Sequence, residues 1–222
     1  MIPYIPQPYW RVGPFTIHAF GVACSLALLL FYWLVLHRAP RHGMTKDRAG
    51  GMLVTVLLSG LLPGLLWTGG SGISATGAAL GGLTGFALFP RRGPLRPALD
   101  LMSFAIAWAY VLARFGCFLA HDHPGRLSES WMAVQYPGGA RFDLGLLYCV
   151  AALFTAVGAA FIERAISLPG TIFAWVATTV GAARLAVLPL GEPVLTDWIV
   201  AAGVTAAGIM AGIFFRQPAS AS

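Results

Sequence analysis

Charge is almost absent from long stretches of this chain, and that constrains its fold more than any motif does. The first stretch, Phe15 to Leu36, runs 22 residues without an Asp, Glu, Lys or Arg. As a helix rising 1.5 Å per residue it is long enough to cross ~30 Å of hydrocarbon. Similar stretches follow at about 51–67, 71–90, 98–120, 143–162, 169–189 and 196–215. Only 10% of the 222 residues are charged and 58% are hydrophobic, whereas a soluble domain carries about 25% charged residues. With a mean hydropathy of +0.76, the pattern predicts an all-α integral membrane protein with seven transmembrane helices. The first 14 residues hold Pro3, Tyr4, Pro6, Pro8, Tyr9, Trp10 and Pro14, which suits an interfacial segment rather than a helix. The run that follows is too long for the core of a signal peptide and reads as a permanent span.

Orientation follows from lysine and arginine. Arg38, Arg41, Lys46, Arg48, Arg91, Arg92, Arg96, Arg164 and Arg216 fall on one side of the spans, against Arg11, Arg126 and Arg141 on the other. Basic residues favour the cytoplasm, so the N-terminus is expected outside and the C-terminus inside. The formal charge of +6 thus reads as a topology signal and not as a nucleic-acid footprint. The organisation expected is one membrane domain over 1–216, a small outer-face head loop at 121–142 and a disordered tail at 217–222. No nucleotide-binding glycine motif or internal repeat occurs. Cys24, Cys117 and Cys149 lie inside apolar runs without paired spacing, which predicts small hydrophobes rather than a disulfide framework. The third span is rich in Gly and Ala, which permits close helix approach in a membrane.

Two arginines break the apolar rule. Arg114 comes 17 residues after Pro97 and Arg184 comes 15 after Pro169, which puts them about 25 and 22 Å up two outward-running helices. An arginine at the bilayer centre costs at least about 2.5–3.5 kcal/mol. Two guanidiniums at matched depth near the outer leaflet point to a shared anion, since their planar forks suit phosphate; separate snorkelling to lipid phosphates is the alternative. Were the helix to continue through 121, Arg114, Cys117 and His121 would share a face, with two turns between the first and the last.

Other polar groups gather on that side. His121, Asp122 and His123 form a cluster, Asp143 and Asp197 open later spans, and His18 and Thr76 sit in the outer turns of spans one and three. A histidine of the cluster, oriented by Asp122 or Asp143, suits general acid/base work; Asp143 and Asp197 also suit helix N-termini. Two histidines at i and i+2 do not share a helical face, and zinc would need a carboxylate from another span. No metal or cofactor is expected.

Several stretches resemble the prolipoprotein diacylglyceryl transferase family. They are Ile17-His-Ala-Phe-Gly21, Ser74-Ala-Thr-Gly-Ala-Ala-Leu-Gly81, Arg114-Phe-Gly-Cys-Phe118, Pro124-Gly-Arg126, Trp131-Met-Ala-Val-Gln-Tyr-Pro137 and Gly181-Ala-Ala-Arg184. The likeness covers about residues 10–210. It implies a bacterial cytoplasmic-membrane enzyme whose site faces the outer leaflet. Such an enzyme moves the diacylglyceryl group of phosphatidylglycerol to a prolipoprotein cysteine and releases glycerol phosphate. By position, Arg114 and Arg184 match the family's phosphate-engaging arginines, and Gly125 and Arg126 match its glycine and arginine. Thr76 stands in place of a family histidine, with Gly77 beside it; Phe20 replaces a tyrosine and Cys117 an asparagine.

The expectation is therefore a diacylglyceryl transferase acting on an anionic phospholipid, with the acceptor left open. Arg114, Arg184 and Arg126 would bind phosphate, His121, His123, Asp122 and Asp143 would handle protons, and His18, Phe20, Thr76, Gly77, Cys117 and Gly125 would line the substrate. The alternative is a non-catalytic phospholipid-binding scaffold or carrier that retains the phosphate site. No nucleic-acid partner is expected.

Overall fold

The computed structural model describes residues 1–67, 75–89 and 94–216, with the backbone alone at 65, 67, 75–80 and 216. Three short strands, β1 (Ile2–Pro3), β2 (Tyr9–Val12) and β3 (Phe15–His18), precede α1 (Ala19–Arg38), α2 (Lys46–Trp67), α3 (Ala75–Leu88) and α4 (Leu95–Ala120). Strands β4 (Pro124–Leu127), β5 (Val134–Tyr136) and β6 (Gly139–Asp143) then lead into α5 (Leu144–Ala165), α6 (Thr171–Val187) and α7 (Leu195–Arg216). Five of these helices are long and apolar enough to cross a membrane: α1, α4, α5, α6 and α7, with α1 and α6 each extended by a 3-10 turn. Helix α2, which opens on Lys46-Asp47-Arg48, and α3, with 14 described residues, are not among them. Large apolar side chains such as Leu29, Phe154, Phe161, Met210 and Phe214 are exposed, the arrangement expected where lipid tails are the solvent.

The first span starts four residues later than the apolar run suggests. Phe15-Thr-Ile-His18 pairs antiparallel with Tyr9–Val12 through a two-residue turn at Gly13-Pro14, with Gly13 at φ 59. Aromatic and β-branched residues beside such a turn favour a hairpin over a helix. The head loop also holds more order than expected. Strands β1, β5, β6 and β4 form one sheet in that order, β1 parallel to β5 and the other pairs antiparallel. The N-terminal segment is therefore an edge strand of the head.

The chain divides into two compact units, one of residues 1–31 and 102–222 and one of residues 32–101. In the second unit α3 packs on α2 through glycine: a Cβ on Gly81 would fall 1.9 Å from the Ser59 carbonyl oxygen. One on Gly85 would fall 1.9 Å from the Ser59 hydroxyl. The glycines of α3 thus serve close packing.

The first unit is built in the same manner. Gly181 of α6 meets Thr205 of α7, and Gly208 of α7 meets Thr178 of α6. Gly158 of α5 lies under the Trp175 ring, whose indole N–H donates to the Thr155 carbonyl at 3.0 Å. Gly145, in the first turn of α5, abuts the backbone of Cys117 and Phe118 near the end of α4. These approaches set the end of α4 against the start of α5 and pack α5 on α6.

At Gly208 a Cβ would lie 2.4 Å from the Thr178 amide nitrogen, while Gly203 on the same helix has nothing within 4 Å. Gly208→Val should therefore destabilise the protein by about 1–3 kcal/mol or more through overpacking. Gly203→Ala should be neutral or stabilise by up to about 1 kcal/mol. Thermal unfolding of both variants in the same detergent checks the contrast.

Candidate functional site

The arginine on α4 is held by two tyrosines. Tyr110 lies one turn before Arg114, and Tyr148 comes from α5. The guanidinium carbon is 4.8 Å from the centroid of each ring, so the cation sits against two π faces. Such contacts contribute roughly 0.5–2 kcal/mol each, more when desolvated. Among the described residues no carboxylate pairs with Arg114.

Arg184 is held differently. Its Nη2 donates to Asp197 Oδ1 at 2.8 Å, and Asp197 Oδ2 accepts from the Val194 amide at 3.2 Å. Asp197 thus caps the start of α7 and orients the arginine as well. The Nε of Arg184 is buried and has no hydrogen-bond partner. An unsatisfied buried donor costs roughly 1–3 kcal/mol, more for a charged group, so this atom needs an acceptor. Arg184 lines a cavity of about 40 Å³ together with Tyr110, Tyr148, Thr155 and Ala183. Tyr148 lies within electrostatic reach of both Arg114 and Arg184. The two arginines thus approach the same tyrosine, one from α4 and one from α6.

Helix α4 stops at Ala120, one residue short of the histidine expected on its face. His121 turns out of the helix at φ 52, the sole non-glycine residue with positive φ among the described ones. That conformation costs of order 1–3 kcal/mol and persists only where surroundings enforce it. Its side chain is nearly inaccessible: Nδ1 meets Asp143 Oδ2 at 2.7 Å and Nε2 meets the Ile5 carbonyl at 3.0 Å. Both ring nitrogens are therefore engaged, Nδ1 by a carboxylate and Nε2 by a backbone carbonyl. The Tyr4 ring packs on the imidazole at 4.6 Å and Phe118 meets it edge-on at 5.4 Å.

Asp143 is 1% exposed. Oδ2 also accepts from the Tyr136 hydroxyl at 2.7 Å, and Oδ1 accepts from the Leu146 amide at 3.0 Å, capping α5. In this arrangement His121 presents no free nitrogen to a substrate. It clasps the N-terminal segment to the head, and Asp143 anchors the clasp. Burial, followed by the hydrogen bond and charge of Asp143, pushes the Tyr136 phenol well above its usual value.

Beyond the clasp the chain runs back along the end of α4. Asp122 and His123 are exposed and pair through Oδ1 and Nδ1 at 2.5 Å. Arg126 does not line the Arg184 cavity; its Nε donates to the Gly191 carbonyl at 3.1 Å, tying β4 to the loop after α6. A Cβ on Gly125 would lie 2.5 Å from the Leu190 carbonyl oxygen, so only glycine fits that crossing. His18 is exposed on β3, its ring 6.2 Å from that of Tyr9, and not in the first turn of a span. Phe20 is exposed at the start of α1, near Gly116 of α4. Thr76 and Gly77 open α3, with side chains outside the described residues.

The residues missed in the sequence were tyrosines. Tyr110, four before Arg114, carries the i, i+4 spacing of a helix-face pair and was legible. Tyr4 and Tyr136 were not, because their contacts depend on the pairing of β1 with β5.

A family profile described as prolipoprotein diacylglyceryl transferase matches residues 64–215. Relatives described as phosphatidylglycerol–prolipoprotein diacylglyceryl transferase include one from Chromohalobacter salexigens, 27% identical over 150 residues covering 57% of this chain and 55% of the relative. One from Thermus thermophilus is 32% identical over 154 residues, covering 59% and 54%. One from Staphylococcus carnosus is 23% identical over 150 residues, covering 57% and 54%. The chain spans a little over half the length of the curated relatives it matches.

The raised Tyr136 phenol has a thermodynamic consequence. A group whose folded value lies above its unfolded one contributes stability in full below the unfolded value. That contribution is lost as pH climbs beyond about 10, where an unfolded tyrosine ionises. The wild type should therefore unfold at a higher temperature than Tyr136→Phe near neutral pH, with the gap shrinking above about pH 10. A pH series of unfolding midpoints for the two proteins checks this.

Proposed function

The chain belongs to the prolipoprotein diacylglyceryl transferase family, and from that premise we propose a membrane transferase for an anionic, phosphatidylglycerol-like phospholipid. Arg114 and Arg184 bind the phosphate, and the diacylglyceryl group passes to an acceptor of the prolipoprotein-cysteine kind. The observation that carries this reading is the buried, unpartnered Nε of Arg184 beside a cavity that it shares with Tyr110 and Tyr148. A phosphate oxygen there would supply the missing acceptor, and the fork of the second arginine suits the same group. In this reading α2 and α3 complete seven crossings, the head faces the outer leaflet, and the site draws lipid from that leaflet of a bacterial cytoplasmic membrane.

The chemistry asks little covalent work of the protein. A nucleophile attacks the glycerol carbon bonded to the phosphate oxygen, the C–O bond breaks, and its electron pair leaves on glycerol phosphate. Negative charge grows on that oxygen in the transition state, where fixed guanidiniums stabilise it most. Asp197 keeps Arg184 oriented, and the Tyr110 and Tyr148 rings do the same for Arg114. His121 and Asp143 hold the head closed over the end of α4, while Asp122 and His123 handle the acceptor. A second reading, a phospholipid-binding scaffold without turnover, draws on the clasped ring nitrogens of His121, which are not free to act as a base.

Purified protein offered phosphatidylglycerol vesicles and a cysteine-containing lipoprotein peptide should release glycerol phosphate and yield a lipidated peptide. Arg184→Ala or Arg114→Ala should lower the rate by about 10²–10³, the loss typical of one preorganised charge-stabilising donor. Arg→Lys should rescue only in part, because a point charge cannot make the planar contact. Tight lipid binding with no transfer to thiol, amine or hydroxyl acceptors would favour the scaffold. Full activity in both alanine variants would overturn the phosphate assignment.

A further inference from the structure

Cys117, Asp122 and His123 bring a thiol, a carboxylate and an imidazole nitrogen within 4.8 Å of one another. In sequence they look unrelated, since a cysteine inside an apolar helix faces no residue five or six positions on. The left-handed turn at His121 joins them by folding the chain back over the last turn of α4. Each ligand stands on fixed backbone. Cys117 abuts Gly145 of α5, His121 is locked by Asp143 and Ile5, and the His123 carbonyl accepts from the Leu144 amide at 3.1 Å. Cys117 is half-buried while Asp122 and His123 are exposed, so an ion from solvent can reach the site.

We propose that Cys117, Asp122 and His123 bind a zinc-class divalent cation whose remaining coordination position takes the acceptor thiol. The donor set is one sulfur, one nitrogen and one oxygen, which suits zinc better than calcium or magnesium, whose ligands are all oxygen. Three protein ligands with an open fourth position is the pattern of reactive rather than closed structural zinc sites. The usual bond lengths put tetrahedral ligands about 3.3–3.6 Å apart, within the spacing found. His123 Nδ1 and Asp122 Oδ1, which pair directly without the cation, part by about 1 Å to form such an edge.

The role of the cation rests on the transferase reading. A thiol coordinated to such a cation is deprotonated outright, which removes the need for a histidine base. The proton goes to water, and the acceptor sulfur attacks the glycerol carbon. The C–S bond forms as the C–O bond breaks, and the electron pair leaves with the phosphate oxygen held by the arginines. Position favours this, because Cys117 lies one turn from Arg114 on α4 and in electrostatic contact with it. The metal site and the phosphate site are thus neighbours.

The test titrates chelator-stripped, detergent-purified full-length protein with Co²⁺, then with Zn²⁺. Saturable binding at one ion per chain is expected, with a thiolate-to-cobalt charge-transfer band that Zn²⁺ displaces. Cys117→Ser should lose the band, His123→Ala should weaken binding at least about tenfold, and Cys149→Ser should leave the band intact, since Cys149 sits on the Val111 carbonyl. No saturable binding, or a band that survives Cys117→Ser, overturns the site. Transfer to a cysteine peptide then separates role from function. A rate that is lost on chelation and restored by Zn²⁺ supports thiol activation, and an unchanged rate in stripped protein overturns it while leaving the transferase standing. Metal binding without any peptide lipidation overturns the transferase reading and the cation's role in it, but not the site.

Discussion

A guanidinium placed among apolar helices must be given a partner, and much of the first unit is arranged to do so. Arg114 has two tyrosine rings, one from its own helix and one from α5. Arg184 has one carboxylate from the start of α7, and that same carboxylate caps the helix. Both solutions need the helices close together. Gly145, Gly158, Gly181 and Gly208 give that closeness, each meeting a neighbour that a side chain would strike. Among the described residues the packing leaves the Arg184 Nε buried without an acceptor, on a residue that lines a cavity.

The end of α4 is the second organising point. A histidine in a left-handed conformation ends the helix, and its ring then fastens three separate pieces of chain: Ile5, Asp143 and, by edge contact, Phe118. Both of its ring nitrogens are taken up in holding those pieces together. The turn it forms lays Asp122 and His123 beside Cys117. One strained residue therefore fastens the N-terminal segment to the head and groups Cys117, Asp122 and His123.

The apolar runs foretold most of the helices, because span length and charge avoidance are properties of single segments. Both arginines were legible for the same reason, since each violates the pattern of its own run. Depth counted along two helices put them at one level, but the tyrosine that lies near both was not read. The hairpin at Phe15–His18 and the sheet built from β1 and the head were not legible. Pairing between residues 2–3 and 134–135 leaves no trace in local composition. The run at 98–120 ends where α4 ends, and the condition that would put His121 on the helix face is not met, because a single αL residue sends every later side chain elsewhere. The same turn groups Cys117 with Asp122 and His123, a grouping that helical spacing does not foretell.

An experimental structure with phosphatidylglycerol bound tests the central claim most directly. The account predicts a phosphate oxygen within hydrogen-bond distance of Arg184 Nε, with the Arg114 guanidinium contacting the same phosphate. A headgroup seated elsewhere, with Arg184 Nε still without an acceptor, would contradict it.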